Sequence, residues 1–284
     1  MAAPSDKLVS THWLAENLGS DDIVILDASR HLPAANRDPR REFEAAHIPG
    51  ARYLDLASWT DTTSQVPAAL PSAEQLAERL AMLGIGPHTA IILYDDSAVR
   101  TAARAWFILA AHGCEDVAIL DGGLAKWREE GRLLESGTAG FEAKPVSHFP
   151  AASGVVTKAE ITANLETAAH QVLDARDADR VFGSGIDPVH GGQNGRIPGS
   201  FNLPFGEVFE QDGTFKSPAA LRDAFQEAGI DIGRPIITTC GSGVTACVLL
   251  FAAHLAGKYD VALYDGSWME WESDPATPKE QGPA

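Results

Sequence analysis

Residues 235–254 read PIITTCGSGVTACVLLFAAH, a run in which Cys240 stands between a β-branched apolar stretch and a helix-like apolar stretch. Residues 90–109 read AIILYDDSAVRTAARAWFIL and repeat the same order of apolar stretch, polar turn and helix-like stretch. This order is typical of a buried β-strand that leads through a short turn into an α-helix. The sequence therefore predicts the same strand–turn–helix element twice in one chain.

Three further pairs of segments repeat in the same order. They are VILDASR at 24–30 with QVLDARD at 171–177, AHIPGARYLDL at 46–56 with GRIPGSFNLPF at 195–205, and VAILDGGLAKW at 117–127 with VALYDGSWMEW at 261–271. The matching residues are separated by 144 positions (Trp127 to Trp271) to 149 positions (Ile48 to Ile197). Segments that recur in order at nearly constant spacing indicate a duplicated domain.

Two homologous domains follow from this duplication, at residues 1–140 and 158–284, with a linker at 141–157 that holds two prolines and several small residues. Within each half, short apolar runs alternate with amphipathic runs. Near-continuous apolar strands that alternate with helices predict an α/β fold, with a parallel sheet flanked by helices in each domain. In such sheets, ligands bind at the loops that follow the carboxyl ends of the strands.

The composition excludes several classes of partner. The 284-residue chain carries a formal charge of −17 and is 45 % apolar. An acidic surface of this size disfavours binding to nucleic acids and to anionic membranes. No apolar run reaches the length of a membrane span, and the first residues, MAAPSDKLVSTHW, lack the pattern of a secretory signal. The sequence predicts a cytoplasmic protein.

The three cysteines, Cys114, Cys240 and Cys247, are too few for a disulfide framework. No CxxC motif and no cysteine–histidine cluster with zinc-ligand spacing occurs in the sequence. We therefore expect neither a structural metal nor a cofactor. Cys247 follows Cys240 by two helical turns and is expected in the core.

Gly241 and Gly243 open the turn that follows Cys240, because glycine adopts left-handed backbone angles and leaves room for a ligand. The backbone N–H groups of such a turn can converge on an anion, and the N-terminus of the helix adds partial positive charge. The loop is therefore a candidate cradle for a cysteine thiolate or for a charged group bound to its sulfur. A buried structural thiol at a strand end is the alternative.

Two positions limit which reactions the loops of this chain could catalyse. A thiol phosphatase with such a loop needs an arginine six residues after the cysteine to clamp the phosphate, and this chain has Ala246 there. In the first domain, the place of Cys240 is taken by Asp95, which has no thiol. The first domain is therefore predicted to be catalytically degenerate.

Four motifs resemble those of the two-domain rhodanese family: HIPGA at 47–51, RIPGS at 196–200, CGSGVTA at 240–246 and YDGSWMEW at 264–271. The resemblance covers nearly the whole chain. Members that use thiosulfate carry a basic pair after the cysteine, as in CRKG, whereas this chain has Gly241 and Ser242. The CGSGVTA loop is instead similar to that of members that use 3-mercaptopyruvate.

The resemblance implies a sulfurtransferase. In this reaction the Cys240 thiolate takes sulfur from 3-mercaptopyruvate, releases pyruvate and holds a persulfide for a thiol or cyanide acceptor. The implied partners are these small molecules and, as one acceptor, a thioredoxin-like reductant; a monomer without a cofactor is expected. Two alternatives remain open: a thiosulfate:cyanide sulfurtransferase, and a persulfide carrier without its own small-molecule donor.

Further site residues are carried over from the family. Ser242 matches a hydroxyl that relays protons to the leaving enolate, with a turn serine as the alternative. Thr245 matches a position that bonds the persulfide or caps the helix. In the first domain, Asp38 and His47 match a relay with the loop serine; the alternatives are a surface charge and a histidine that fixes the turn before Pro49. The loop backbone that would hold the donor includes Gly241, Gly243 and Val244.

Donor recognition is predicted within residues 180–196. Arg180 matches the first of two family arginines that hold the donor carboxylate. The second arginine is absent, because Val189 stands at its position and His190 follows it. Arg196 occupies a place where the family usually has histidine. Either His190 or Arg196 is a candidate substitute; otherwise the site binds 3-mercaptopyruvate weakly or prefers another donor.

Overall fold

The protein forms two compact units in the computed structural model, which describes residues 7–86, 89–138, 140–145 and 148–282. Unit 1 comprises Met1–Asp61, Leu70–Ser153 and Glu210–Phe215; unit 2 comprises Thr62–Ala69, Gly154–Phe209 and Lys216–Ala284. The start of the stretch considered for a secretory signal lies outside the described residues, as do two residues of the predicted linker. The predicted domain bounds stay predictions.

Unit 1 contains a five-stranded parallel sheet in the order β1-β5-β4-β2-β3. Its strands are β1 (Leu8–Val9), β2 (Ile23–Asp27), β3 (Arg52–Tyr53), β4 (Ala90–Tyr94) and β5 (Val117–Leu120). Its helices are α1 (Thr11–Asn17), α2 (Pro39–Ala45), α3 (Ala73–Met82), α4 (Ala102–Ala111) and α5 (Gly123–Glu129), with single 3₁₀ turns at Pro33–Ala35 and Leu56–Ser58.

Unit 2 repeats this arrangement with the strand order β6-β10-β9-β7-β8, again all parallel. The strands are β6 (Val155–Val156), β7 (Gln171–Asp174), β8 (Phe201–Asn202), β9 (Ile236–Thr239) and β10 (Val261–Tyr264). The helices are α6 (Lys158–Thr167), α7 (Ala178–Phe182), α8 (Pro218–Glu227), α9 (Ala246–Leu255) and α10 (Ser267–Ser273), with a 3₁₀ turn at Phe205–Val208. The predicted fold, two parallel sheets flanked by helices, is confirmed.

Local sequence explains where several helices begin. Ser72 and Thr157 precede α3 and α6, and each forms a capping box with the side chain three residues later. Strand β9 and nearly all of α9 are buried, which agrees with the β-branched sequence of the strand and the largely apolar sequence of the helix. Trp268 and Trp271 lie in the core of unit 2.

The sheet topology places one loop of unit 2 at a crevice. The connection from β8 to β9 crosses β7, so β7 and β9 are neighbours in the sheet although β8 lies between them in the sequence. Asp174 and Thr239 are paired at the carboxyl ends of these two strands. Ligands of open α/β sheets bind where the strand order reverses in this way. The residue that follows Thr239 is Cys240.

One short strand lies within the predicted linker: Val155 and Val156 form β6 and pair with Leu263 and Tyr264 of β10. Helix α4 ends at Ala111, because His112 leaves the helix and Gly113 adopts a φ of 80°. Within the described part of the chain, no helix is long and apolar enough to cross a bilayer.

Candidate active site

Cys240 lies in the loop between β9 and α9, and its side chain is 2 % exposed. The start of α10 holds the backbone of this loop in place. The N–H of Trp268 donates to the carbonyl of Cys240 (2.9 Å), and the N–H of Met269 donates to the carbonyl of Gly241 (3.0 Å). The N–H of Cys240 itself donates to Oγ of Ser267 (3.2 Å). The backbone of Cys240, the candidate nucleophile, is thus held by hydrogen bonds at both its N–H and its carbonyl group.

Ser267 is a site residue that the sequence reasoning missed. It is fully buried, has a φ of 51°, and donates from Oγ to the carbonyl of Tyr264 (2.8 Å). A non-glycine residue in the left-handed region costs free energy, so its neighbours must hold it there. The internal repeat indicates this left-handed conformation, because the first domain has a glycine, Gly123, at the matching place, with a φ of 58°.

Ser267→Ala is expected to lower kcat several-fold and to destabilise unit 2 by roughly 1–3 kcal/mol, since the buried N–H of Cys240 loses its acceptor. The change keeps Cβ, and therefore leaves the backbone strain as it is. Ser273→Ala is the matched control, because its hydroxyl lies on the same helix but is exposed. Equal kcat values for the two variants, measured as product release at saturating donor, would contradict a role of Ser267 in holding Cys240.

The matching loop of unit 1 shows how this backbone binds an anion. The Asp95 carboxylate accepts hydrogen bonds from the N–H of Ser97 (2.8 Å) and from the N–H of Ala102 (2.7 Å), the first residue of α4. Burial raises the pKa of Asp95 to about 6, while these two N–H groups lower it. The carboxyl group is therefore mostly ionised at neutral pH. The loop holds a negative charge attached to its own first residue.

The two loops can be aligned residue by residue. DDSAVRTA at 95–102 is one residue longer than CGSGVTA at 240–246, and the extra residue is Arg100, which has a φ of 52°. In this alignment the anion-binding residues Ser97 and Ala102 correspond to Ser242 and Ala246. The N–H groups of Ser242 and Ala246 are therefore the candidates to bind a negative charge on the Cys240 side chain.

Arg180 and His190 lie against the loop at Gly241. A Cβ atom built onto Gly241 would overlap the imidazole ring of His190 and would lie 3.2 Å from Nη2 of Arg180. Gly241 is therefore required for this close approach. Burial, together with the positive charge of Arg180, lowers the pKa of His190. At neutral pH the loop has one permanent cation and one neutral imidazole at its rim.

Val189, which stands in place of the second family arginine, contributes its backbone and not its side chain. Its N–H donates to Oδ1 of Asp187 (2.8 Å), while its side chain is on the surface, 37 % exposed. Close by, Arg176 is fully buried, pairs with Asp174 (2.6 Å) and stacks over the ring of Trp268. This part of unit 2 is rich in arginine even though the expected residue is absent.

Arg196 does not join the loop through any of its described contacts. It is 1 % exposed, pairs with Glu280 (3.2 Å), donates to the carbonyl of Gly282 and stacks over the ring of Phe182. These contacts tie the end of the chain to α7. They assign Arg196 a structural role, and we do not carry it into the proposed donor site.

The rest of the loop consists of a turn glycine and three half-buried residues, and a buried cysteine follows in α9. Gly243 has a φ of 76°, as the turn requires. Ser242, Val244 and Thr245 are half-buried; Thr245 precedes α9 but its side chain makes no capping hydrogen bond, so the capping alternative for Thr245 finds no support. Cys247 is buried and donates from Sγ to the carbonyl of Gly243 (3.1 Å), as expected of a core thiol.

Asp38 and His47 belong to unit 1. Asp38 is exposed and caps α2, because its carboxylate accepts from the N–H groups of Arg40 and Arg41 (3.1 Å each). His47 is buried, stacks on Phe43 and bonds the carbonyl of Phe43 through Nδ1 (2.7 Å). Both side chains thus have local structural roles, and the relay with Ser242 stays a prediction.

The geometry defines a class of site: a thiol in a strand-to-helix anion cradle, with an arginine and a histidine at its rim. Comparison with known proteins places the chain more closely. A family model described as a rhodanese-like domain matches residues 10–130 and 157–274. The chain belongs to the rhodanese family, as the motifs predict.

Individual relatives cover almost the whole chain. The chain is 41 % identical to human 3-mercaptopyruvate sulfurtransferase, over 95 % of this chain and 94 % of the human protein. It is 37 % identical to thiosulfate sulfurtransferase of Cricetulus griseus, over 97 % and 95 % of the two chains. The crystal structure of SseA from Escherichia coli, described among 3-mercaptopyruvate sulfotransferases, superposes with a TM-score of 0.84 at 34 % identity, covering 93 % of this chain and 99 % of SseA. The prediction of a sulfurtransferase-family enzyme is confirmed.

Proposed function

We propose that the protein transfers sulfur from 3-mercaptopyruvate to a thiol or cyanide acceptor through a persulfide on Cys240. One observation carries the proposal: Arg180 and His190 meet the Cys240 loop at Gly241, where a small anionic donor would place its carboxylate beside its reacting sulfur. The similarity to human 3-mercaptopyruvate sulfurtransferase supports the same donor.

The first half of the reaction uses the thiolate of Cys240. Its sulfur attacks the thiol sulfur of the donor, a new S–S bond forms, and the C–S bond of the donor breaks. The carbon leaves with the electron pair as the enolate of pyruvate, which takes up a proton. Ser242 is proposed to deliver that proton, since its half-buried hydroxyl lies in the loop itself.

The loop backbone is proposed to stabilise the persulfide. The unit 1 loop gives the pattern, because there the equivalent N–H groups bind the two oxygens of Asp95. In unit 2 the N–H groups of Ser242 and Ala246, together with the N-terminus of α9, would face the outer sulfur. The hydroxyl of Thr245, which is not used as a cap, is available to the same sulfur. The acceptor then removes the outer sulfur and regenerates the thiolate.

Thiosulfate is the second candidate donor. The observation that favours it is the rim of the loop, where Val189 replaces the second arginine that would hold the carboxylate of 3-mercaptopyruvate. The similarity to a thiosulfate sulfurtransferase is only slightly lower than that to the human mercaptopyruvate protein. Against this donor stands the absence of a basic pair after Cys240.

Steady-state kinetics with both donors, combined with mass spectrometry of the Cys240 peptide, separates these functions. We expect pyruvate release and the addition of one sulfur atom with 3-mercaptopyruvate, at a higher kcat/KM than with thiosulfate. An adduct from thiosulfate alone would establish the second candidate. An adduct from neither donor would refute both and favour a persulfide carrier loaded by a partner protein.

Replacing Arg180 is expected to weaken donor binding. Arg180→Ala should raise KM for 3-mercaptopyruvate by about 10-fold or more, because a charge-assisted hydrogen bond to a carboxylate is worth roughly 1.5–3 kcal/mol. Arg234→Ala is the control, since Arg234 is an exposed arginine of the same unit. An unchanged kcat/KM for Arg180→Ala would remove Arg180 from the donor site.

Several finer assignments belong to the proposal as well. We include a cytoplasmic location, a monomeric state and a thioredoxin-like reductant among the acceptors, as the sequence predicts. We also retain, as part of the proposal, the relay of Asp38 and His47 with the loop serine Ser242. One plant relative of the chain is described as mitochondrial, so location is best tested by fractionation with an antibody against this chain.

A further inference from the structure

Asp187 is the centre of a hydrogen-bond network that no sequence motif indicated. Its carboxylate is fully buried and accepts from Nε (3.1 Å) and Nη2 (2.9 Å) of Arg180. It also accepts from the backbone N–H groups of Val189 (2.8 Å) and His190 (3.3 Å). One side chain therefore holds both an arginine of α7 and the backbone of the loop that follows it.

The backbone of Asp187 closes the same loop. Its N–H donates to the carbonyl of Gly192 (2.6 Å), and its carbonyl accepts from the N–H of Gly191 (2.9 Å). Ile186 and Gln193 form an isolated antiparallel bridge next to these bonds. These bonds close a loop from Ile186 to Gln193, and this closed loop helps to fix the positions of residues 189 and 190.

The two groups held by Asp187 are the two that reach the Cys240 loop. Arg180 uses Nε and Nη2 on Asp187, which leaves Nη1 outside this ion pair. The ring of His190 lies on Gly241, beside Nη2 of Arg180. A shift of either side chain by about 1 Å would change the distance to a bound donor, and such shifts are costly in catalysis.

Charge balance makes the carboxylate necessary. Arg176 is buried close by, with Nη1 3.9 Å from Oδ2 of Asp187 and without a hydrogen-bond partner. Burial alone would raise the pKa of Asp187, but the hydrogen bonds from Arg180 and from the two N–H groups outweigh it and hold the pKa below its usual range. Without this anion, Arg180 would lose its carboxylate partner, and the positive charges of Arg176 and Arg180 would repel each other.

We propose that Asp187 is a positioning residue that sets Arg180 and His190 against the Cys240 loop, and thereby determines how tightly the enzyme binds the carboxylate of its donor. This inference rests on the proposed function, because it assigns Arg180 to the donor. It also explains how the site works without the second family arginine. The 189–190 backbone is bound to Asp187, so the loop sets the imidazole of His190 on Gly241 although Val189 has no cation to offer.

The first test compares Asp187→Asn with Asp179→Asn, which removes the same charge from an exposed position in α7. We expect KM for 3-mercaptopyruvate to rise by about 10-fold in Asp187→Asn, because two charge-assisted hydrogen bonds are weakened. The value of kcat should stay within about twofold, since Cys240 is untouched. Asp179→Asn should match the wild type. A fall in kcat at constant KM would indicate a merely structural residue and overturn the proposal.

The second test repeats Asp187→Asn in the Arg180→Ala background. If Asp187 acts through Arg180, most of its effect on KM disappears there, because residues in one network are not additive. An equal rise of KM in both backgrounds would overturn the proposal.

Direct binding of pyruvate, measured by calorimetry with the wild type and Asp187→Asn, separates this inference from the proposed reaction. If the wild type released no pyruvate from 3-mercaptopyruvate, the proposed function would fail, but a weaker pyruvate affinity in Asp187→Asn would still support the positioning role. Equal affinity in the two proteins, or no binding to the wild type, would overturn the positioning role and leave the proposed reaction to stand on its own kinetics.

Discussion

Cys240→Ser is expected to reduce pyruvate release from 3-mercaptopyruvate by at least about 1000-fold, because removal of a catalytic nucleophile costs that much or more. The serine hydroxyl is protonated at neutral pH and cannot hold the transferred sulfur as a persulfide. The fold should be unaffected, since Oγ replaces Sγ at a site where the backbone is fixed by Ser267, Trp268 and Met269. The measurement is pyruvate release, followed by mass spectrometry of the peptide that contains residue 240.

Cys114→Ser is the matched control for this experiment. Cys114 is a half-buried thiol of unit 1, and burial raises its pKa to about 11, so it stays protonated and unreactive. The control should keep full activity, and its Cys240 peptide should gain one sulfur atom. Residual activity above about one per cent in Cys240→Ser would show that another group accepts the sulfur. An adduct on Cys247 would identify that group, because Cys247 is the other thiol of the same loop and helix.

The fold could be predicted from the sequence because its information is local and repeated. Strands such as β4 and β9 are short, fully buried runs, and each is followed within a few residues by a helix. A parallel sheet buried on both faces has that pattern by necessity. The duplication shows the strand–turn–helix pattern twice. The difference between Asp95 and Cys240 at equivalent places indicates that the loop after β9 is the candidate site.

The contacts that complete the site could not be predicted, because they join residues that are distant in the sequence. Ser267 reaches Cys240 across 27 positions, through the adjacent strand β10. Asp187 was overlooked because an acidic residue in a polar loop is usually a solvated charge. Only the folded chain shows that its carboxylate is buried and surrounded by donors.

Arg196 makes a contact of the same long-range kind. A cation within the donor-recognition segment is a reasonable candidate for carboxylate binding, but its ion-pair partner Glu280 lies 84 positions away and leaves no trace in the local sequence. Asp38, by contrast, has a local signal, since an aspartate directly before Pro39 is a common start of a helix. Its capping contacts are therefore predictable from the sequence, and its relay role stays a prediction.

The two related loops of the chain differ at the residue that follows the strand, which is Asp95 in unit 1 and Cys240 in unit 2. In unit 1 the carboxylate of Asp95 binds the loop N–H groups permanently, so the loop is filled by its own side chain. In unit 2 the corresponding residue is Cys240, and we propose that the same place receives its transferred sulfur. The first domain stays a predicted degenerate copy, because Asp95 has no thiol and its carboxylate already occupies the N–H groups of its loop.

Gly123→Ala is expected to destabilise unit 1 by about 3 kcal/mol, the largest effect on stability that we anticipate from a single methyl group. Gly123 has a φ of +58°, and an added Cβ would lie 2.5 Å from the carbonyl oxygen of Asp95. The left-handed backbone alone costs about 1 kcal/mol for alanine. The rest comes from the overlap, which a backbone carbonyl cannot relieve without moving the loop. Hydrogen exchange at the amides of β4 and β5 measures the free energy of unfolding of this unit.

Gly131→Ala isolates the contribution of the left-handed backbone, because Gly131 has a φ of +65° and nothing lies within 4 Å of its added Cβ. This variant should lose only about 1 kcal/mol. If both variants lost the same amount, the overlap with Asp95 would not exist. Gly123→Ser should cost less than Gly123→Ala, because its hydroxyl could accept the N–H of Asp95 in the way that Ser267 accepts that of Cys240. The natural serine at position 267 is then understandable: the strain is tolerated because the hydroxyl holds the backbone of Cys240.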